Sequence, residues 1–332
     1  MVEFLFMLLK IVVVFVALLL SVAYLTWLER KVLGHMQSRL GPHRVGMNGL
    51  LQPIADGIKL FFKEDVIVTA ADKVVYHLAP FIIVSTALLT VAVIPFGDSV
   101  KIFSHDMPLR IADINIGLLY IFALSSLGVY GIVLAGWSSN NKYALMGGLR
   151  SAAQMVSYKL PLGLATIGVL MQSESLSLAK IVQAQATQGW FFLPQFIGFL
   201  IFFICAVAEC NRTPFDLPEA EGELVAGFHI EYSSMKFALF FMAEYASVIL
   251  MSALIVTLFF GGWLGPGFIS CPAWCGPIWF GVKVFIFSFI FIWLRATFPR
   301  FRYDQLMKFG WKVLFPLSLI NIVATAVVMI IK

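Results

Sequence analysis

Eight mostly apolar stretches dominate this chain, and each approaches the roughly 20 helical residues that span the hydrocarbon core of a bilayer. They lie at residues 4–25, 79–96, 114–137, 153–171, 191–208, 237–261, 278–294 and 313–331. With 61% hydrophobic and 12% charged residues, a soluble domain of this composition would aggregate. The sequence therefore predicts one all-α polytopic transmembrane domain over residues 1–332, with about eight transmembrane helices. The first stretch lacks a cleavage site, so we expect a retained helix rather than a targeting peptide.

The distribution of Lys and Arg predicts the orientation of these helices, because basic residues stay on the cytoplasmic side. Connections after the odd-numbered stretches hold sixteen of them, and those after the even-numbered stretches hold only Lys101, Arg110 and Lys180. We therefore expect a multi-pass protein of the bacterial inner membrane with both termini on the periplasmic side. The net charge of +5 lies mostly in cytoplasmic connections, which suits anionic headgroups or a docked partner and gives no reason to expect nucleic acid.

The connection over residues 209–236 concentrates acid between two apolar stretches. Its run ECNRTPFDLPEAEGELVAGFHIEY contains six carboxylates, namely Glu209, Asp216, Glu219, Glu221, Glu223 and Glu231. Charge at a membrane edge is costly and commonly marks a proton relay or a headgroup site. Asp216 and Glu219 resemble a capping box, so we expect a short helix to begin there with Glu219 and Glu223 on one face. Repulsion between such neighbours would raise the pKa of at least one carboxyl and let it exchange protons, whereas an ordinary solvated turn is the alternative.

Two further charges fall inside apolar stretches, Lys159 in the fourth and Glu244 in the sixth. A Lys near mid-bilayer costs about 2.5–3.5 kcal/mol on insertion scales, so we expect Lys159 to face the bundle interior and to pair with Glu209 or Glu244. Such a pair could relay protons or could be purely structural. Lys283 lies nearer a helix end and is expected to snorkel to the membrane surface.

Residues 46–63 predict an amphipathic helix on the cytoplasmic side of the membrane. Apolar Leu50, Ile54, Ile58, Phe61 and Phe62 recur at helical spacing, and polar Asn48, Gln52, Asp56, Lys59 and Lys63 occupy the other faces. We expect this helix to lie in the membrane surface, where it could border an entrance for a lipid-soluble ligand or form a lid on the bundle. The preceding run RLGPHRVG at residues 39–46 is a sharp basic turn suited to an acidic partner or a headgroup.

The four cysteines do not predict a metal or redox centre. Cys205 and Cys210 flank the end of the fifth stretch, and Cys271 and Cys275 stand in CPAWC, which has neither C-x-x-C spacing nor a nearby histidine pair. The last two lie on the predicted outer face, where a disulfide is chemically allowed. We expect no metal and no electron-carrying cofactor bound by this chain.

Three segments together resemble the heel-subunit family of proton-pumping NADH:quinone oxidoreductase, respiratory complex I. They are WLERKVLGHMQSRLGPHRVGMNGLLQPIADGIKLFFKED at 27–65, GGLRSAAQMVSY at 147–158, and ECNRTPFDLPEAEGELVAGFHIEYSSMKFALFFMAEY at 209–245. The resemblance spans most of the chain and implies the membrane subunit that joins the soluble redox arm to the membrane arm. It implies ubiquinone or menaquinone as substrate, with the flavin and iron–sulfur clusters in partner subunits.

The resemblance also implies roles for individual residues. The quinone channel and the subunit junction would involve Glu29, Arg30, Arg39, Arg44, Gln52, Asp56, Lys59 and Phe215. Coupling of quinone chemistry to protonation would involve Glu209, Asp216, Glu219, Glu221, Glu223, Glu231, Glu244 and Lys159. One position departs from the family, which usually has glutamate where this chain has Lys159. Either the relay runs through a Lys and Glu pair, or coupling differs at this point.

Two other functions share parts of this pattern. The homologous membrane subunit of energy-converting hydrogenases and ferredoxin-linked complexes has the GPxRxG turn and a reduced acidic loop, whereas the full PEAEGELVAGFHIEY run favours the quinone-linked enzyme. A stand-alone ion transporter is the more distant alternative. Against it, the sequence has no internal repeat and no pair of broken helices in corresponding halves.

Overall fold

The computed structural model describes residues 2–102, 105–218, 221–265 and 273–331. The helices are α1 Val2–Met36, α2 Gln52–Phe62, α3 Lys73–Val91, α4 Gly117–Ser138, α5 Lys142–Ser173, α6 Leu178–Gln188, α7 Phe196–Glu209, α8 Glu221–Leu224, α9 Ser234–Phe259, α10 Gly276–Thr297, α11 Tyr303–Phe309 and α12 Phe315–Ile331. Short helical turns occupy Met47–Gly49, Gly227–His229, Ala273–Cys275 and Gly310–Leu314. A small antiparallel hairpin pairs β1 Ser99–Ile102 with β2 His105–Pro108.

Six helices in the described ranges are long and apolar enough to cross a membrane, α1, α3, α4, α9, α10 and the continuous α11–α12 segment. Taken together across a 59° bend, α5 and α6 raise the number to seven, and α7 is a shorter apolar helix. Each of the eight predicted stretches coincides with one of these helices. The prediction of an all-α multi-pass domain is confirmed, and its number of eight helices is approximate.

Several helices extend beyond the apolar runs that predicted them. α1 continues to Met36 through WLERKVLGHM, because the cytoplasmic residues after the apolar run are also good helix formers. α5 begins at Lys142, where the side chain of Asn141 accepts a hydrogen bond from the backbone N–H of Tyr143. These extensions carry charged side chains from the membrane surface towards the acidic connection.

The bundle is centred on α9, whose most apolar window is 67% buried inside the protein. α9 contacts α1, α3, α7 and α10. The rings of Phe199, Phe259, Phe260 and Phe287 pack around its outer end with centroid separations between 5.0 and 6.3 Å. Such aromatic contacts add to the packing that holds α9 in place, and α9 carries Glu244.

Lys283 does not snorkel as predicted. Its Nζ donates hydrogen bonds to the carbonyl oxygens of Phe260, Gly262 and Leu264, at 2.7, 3.1 and 2.6 Å, and lies 4.7 Å from the ring centre of Trp190. Carbonyls at a helix C-terminus lack partners within the helix, so the ammonium caps the end of α9. The need of these carbonyls for donors is the physical reason that the side chain turns inward.

α2 confirms the predicted amphipathic helix, although the helix begins at Gln52 rather than at the start of the segment. Its polar side faces α1, where Arg30 Nη1 lies 2.6 Å from Asp56 Oδ2 and Gln52 Nε2 donates to Asp56 Oδ1 at 3.0 Å. Its apolar side points outward, with Phe62 80% exposed. An outward apolar face favours a helix lying in the membrane surface over a lid packed on the bundle.

Candidate functional site

The acidic connection pairs its carboxylates with separate partners. The pairs are Glu209 with Lys159 at 3.2 Å, Asp216 with Arg300 at 2.9 Å, Glu223 with Arg150 at 2.6 Å, and Glu231 Oε1 with Asn141 Nδ2 at 2.7 Å. Attraction to these partners, supplied by α4–α5 and by the segment after α10, organises the described part of the loop. Glu219 lies outside the described residues, and Glu221 is described only as the first backbone position of α8.

The short helix does not begin at Asp216 as the capping-box pattern predicts. Residues 213–216 form a turn with a cis peptide bond between Thr213 and Pro214, and the helical turn α8 starts at Glu221. The side chain of Asp216 reaches Arg300 instead. A charge-assisted pair is stronger than a hydrogen bond to a neutral backbone N–H, which explains why Asp216 does not act as a helix cap.

Lys159 and Glu209 confirm the predicted intramembrane ion pair. Lys159 Nζ lies 3.2 Å from Glu209 Oε1 and donates a hydrogen bond to Ser126 Oγ at 3.1 Å. The two side chains are 18% and 6% exposed. Glu209 ends α7 while Lys159 lies midway along α5, so the pair joins two helices at the start of the acidic connection.

Glu244, the other predicted partner of Lys159, belongs to a second buried network. Arg212 binds Glu244 Oε1 through Nε at 2.9 Å and Glu29 Oε1 through Nη1 at 3.1 Å. Arg295 also pairs with Glu29, and the Arg212 guanidinium lies 4.4 Å from the ring centre of Tyr245. Burial acts against the charge of Arg212, yet Glu244 and Glu29 hold its pKa well above its ordinary value.

This charge network, Glu29, Arg212, Glu244 and Arg295, contains two residues that the sequence reasoning missed. Arg212 lies within the acidic run itself, and its position among carboxylates was the available signal. Arg295 reaches the site from the end of α10, far along the chain, and no local pattern points to it. The network joins the cytoplasmic ends of α1, α9 and α10 to the loop after α7.

Asp216 is the described carboxylate with a resolved pKa shift outside the membrane-spanning helices. Its side chain is 5% exposed, and burial raises its pKa to about 6, against the attraction of Arg300. Glu244 adds to the increase through repulsion. A carboxyl with this pKa exchanges protons closer to neutral pH than an ordinary aspartate does.

A cavity lies between α3, α4 and α9, with about 80 Å³ of space open to a water molecule. Glu209 and Glu244 both lie on its wall, together with Asn211, Ser125 and His229. A buried water requires about 10–15 Å³ of such space and several polar partners, so the cavity can hold a few waters. The two ion-paired carboxylates therefore share one hydratable space. His229 was not among the predicted site residues.

The remaining predicted residues divide between the surface and the core. Arg39, Arg44 and Lys59 are exposed, and Arg39 Nε donates to Gln37 Oε1 at 2.7 Å. Phe215 is buried, with its ring 5.5 Å from that of Tyr158 and 5.8 Å from that of Phe301, measured between centroids. Phe215 thus anchors the acidic loop against α5 and the segment after α10.

The described residues contain no group of three or more His, Cys, Asp or Glu side chains that could hold a metal ion. Cys205 and Cys210 are buried. Cys271 lies outside the described ranges, so the suggested Cys271–Cys275 disulfide stays a sequence-based hypothesis.

Comparison with known proteins finds similarity along nearly the whole chain. A family profile described as NADH dehydrogenase matches residues 9–326. The second of the NADH-quinone oxidoreductase H subunits of Geobacter metallireducens is 58% identical over 97% of this chain and 95% of its own length. The first of those of Geobacter sulfurreducens is 56% identical over 99% and 96%, and the corresponding protein of Rhodospirillum rubrum is 54% identical over 92% and 88%, respectively. The similarity is not confined to the motif segments.

Proposed function

The chain belongs to the NADH dehydrogenase family, and on that basis we propose that it is the membrane subunit of an NADH:quinone oxidoreductase that forms the quinone channel and couples quinone reduction to proton translocation. The relatives are named as subunits, so the partners are the other subunits of that complex. In this proposal electrons come from flavin and iron–sulfur clusters of the soluble partners. The chain itself carries no redox centre, and quinone is a substrate.

One observation carries the proposal: Glu244 belongs to the buried charge network and also lies on the wall of the cavity shared with Glu209. A charge change near Glu29 or Arg212 would act on Glu244 through a medium of low dielectric constant, where charges interact strongly. It would therefore change the proton affinity of a group that faces hydratable space. This is the arrangement that coupling between ligand chemistry and protonation requires.

In the proposed mechanism, quinone enters laterally from the bilayer beside α2, whose apolar face points outward. The headgroup reaches the junction with the soluble arm near α1 and the acidic loop. Conversion of quinone to quinol takes up two electrons and two protons, so charge at the junction changes during turnover. The charge network and Asp216 respond, and the signal passes along the membrane arm, where other subunits carry out most of the pumping.

Placement in the membrane follows from the helices and from the charge distribution. The apolar helices make the chain a multi-pass membrane protein in contact with the lipid bilayer. The Lys and Arg distribution supports both termini on the periplasmic side of a cell inner membrane, with α2 and the acidic loop on the cytoplasmic side. The proposal includes no role for nucleic acid.

The test is purification of the tagged chain from its native membrane in mild detergent. The eluate is assayed for NADH:quinone reductase activity, for sensitivity to a quinone-site inhibitor, and for copurifying flavin and iron–sulfur subunits. Inhibitor-sensitive activity is the expected result. Hydrogenase or ferredoxin-linked activity without NADH oxidation would contradict the proposal, as would elution of the chain alone with ion transport activity.

A further inference from the structure

His229 is a buried titratable residue that the proposed mechanism does not yet use. It ends the short turn Gly227–His229 between α8 and α9 and is 8% exposed. The turn packs against α4 and α5. At Gly147 of α5, an added Cβ would lie 2.9 Å from the Cα of Gly227 and from the N of Phe228, so glycine is required for this close approach. The chain is therefore built to hold His229 at one place on the bundle.

The imidazole of His229 has apolar surroundings on one side and the cavity on the other. The rings of Phe228, Phe237 and Phe241 lie 4.9, 5.4 and 6.0 Å from it, measured between centroids. Burial lowers its pKa to about 4, so the ring is neutral at pH 7. A neutral imidazole presents one N–H donor and one bare nitrogen acceptor. In the described part of the chain the ring makes no side-chain hydrogen bond, which leaves both nitrogens available to water.

The cavity favours water over a cation. Its two carboxylates, Glu209 and Glu244, are already paired with Lys159 and Arg212. The charged side chains of α5 are likewise engaged, Lys159 with Glu209 and Arg150 with Glu223. Much of the remaining wall is apolar, including Ile83, Leu250 and Leu254. Waters between the two carboxylates therefore need polar groups to orient them, and His229 is one of the few on the wall.

We propose that His229 is a proton-relay residue that passes protons through cavity water between Glu209 and Glu244. The bare ring nitrogen accepts a proton from water on one side while the opposite N–H gives its proton to water on the other side. The ring changes tautomer, its net charge is unchanged, and no electrons move. Rotation of the ring, or passage of a proton in the reverse direction, restores the starting tautomer. This inference rests on the proposed function and assigns a residue to its proton path.

The test uses the intact complex reconstituted in liposomes, with wild type, His229→Gln, His229→Leu and His229→Ala. Glutamine keeps a donor and an acceptor but does not pass a proton through itself, and leucine fills the aromatic pocket without a polar group. We expect Gln and Leu to lower quinone-dependent proton transport by about 10-fold or more, the scale of a lost proton-transfer group. NADH:ferricyanide activity should stay at the wild-type level, since it reports assembly of the redox arm. His77→Gln is the matched control, because His77 is an exposed histidine on α3.

Chemical rescue separates a relay from a structural role. Added imidazole should restore part of the proton transport of His229→Ala, whereas pyrrole, which has an N–H but no basic nitrogen, should not. Proton transport by His229→Gln at the wild-type rate would overturn the relay. Loss of ferricyanide activity in every His229 variant would also overturn it, because it would make the residue a requirement of assembly. A wild-type complex without NADH:quinone reductase activity would instead refute the proposed function.

Discussion

Lys159 and Glu209 form an ion pair between two apolar helices, with Lys159 Nζ 3.2 Å from Glu209 Oε1. The family that the sequence resembles usually has glutamate at the position of Lys159, which would place two carboxylates here. In this chain a cation from α5 compensates the acid that ends α7. Glu209 also lies on the cavity wall, so the substitution alters the charge next to the proposed proton path.

Loss of one partner of this pair should cost far more than loss of both. Lys159→Met leaves Glu209 buried without its cation, and we expect a loss of about 3–5 kcal/mol in stability. The double variant Lys159→Met/Glu209→Gln should recover most of it, because no charge is left unpaired. Thermal unfolding of the assembled complex in a double-mutant cycle measures the coupling. Lys180→Met, at an exposed lysine of α6, is the control, and additive effects of the two changes would contradict a coupled pair.

Glu29→Gln should uncouple the charge network from quinone chemistry. It removes the carboxylate that Arg212 and Arg295 share, and two buried guanidinium groups then repel each other. We expect loss of about 10-fold or more in NADH:quinone reductase activity, with NADH:ferricyanide activity retained. Glu64→Gln makes the same charge change at an exposed position and should have little effect. Unchanged quinone kinetics in Glu29→Gln would separate the network from turnover.

Asp216 should make stability depend on pH between its unfolded and folded pKa values. Burial raises its pKa from the ordinary value of 3.8 to about 6, so the folded state favours the neutral acid. This contribution is complete below the unfolded pKa and is lost as pH rises through about 6. The shift corresponds to about 3 kcal/mol. Asp216→Asn should remove this part of the pH dependence of thermal unfolding. A profile equal to that of wild type between pH 4 and 6 would contradict it.

Glu223→Gln should lower coupled quinone reductase activity while NADH oxidation by artificial acceptors continues. Glu223 is 60% exposed and pairs with Arg150, so its effect on stability should not exceed about 1 kcal/mol. A functional loss would then come from the charge and not from misfolding. Glu174→Gln, at the exposed acidic residue that ends α5, is the control. Equal loss of both activities in Glu223→Gln would indicate failed assembly.

Phe62→Ser should raise the KM for long-tailed quinones and leave that for short-tailed analogues nearly unchanged. Phe62 belongs to the outward apolar face of α2, and a serine there weakens contact with the acyl region beside the proposed entrance. Steady-state kinetics with both quinones distinguishes the two effects. Phe285→Ser, at an exposed phenylalanine of α10, removes the same ring elsewhere. An equal change in KM from both variants would argue against a specific entrance at α2.

The membrane architecture and the amphipathic helix could be read from residue order. A membrane-spanning segment must satisfy its backbone hydrogen bonds within itself, so a long apolar run specifies a helix. The spacing of Leu50, Ile54 and Ile58 likewise specifies an apolar face on α2. The cost of an isolated charge in the membrane also made a partner for Lys159 predictable, although it left Glu209 and Glu244 as equal candidates.

Long-range packing selected between such candidates. Glu29 and Arg295 meet although 266 positions separate them, and Arg212 takes Glu244 while Lys159 takes Glu209. Asp216 binds Arg300 instead of capping a helix, and Lys283 caps α9 instead of reaching the membrane surface. Local order determines which segments become helices, because backbone hydrogen bonds and apolar transfer act over a few residues. Which charges pair, and which face the shared cavity, depends on how the helices pack, because electrostatic and hydrogen-bond partners are set by distance in space.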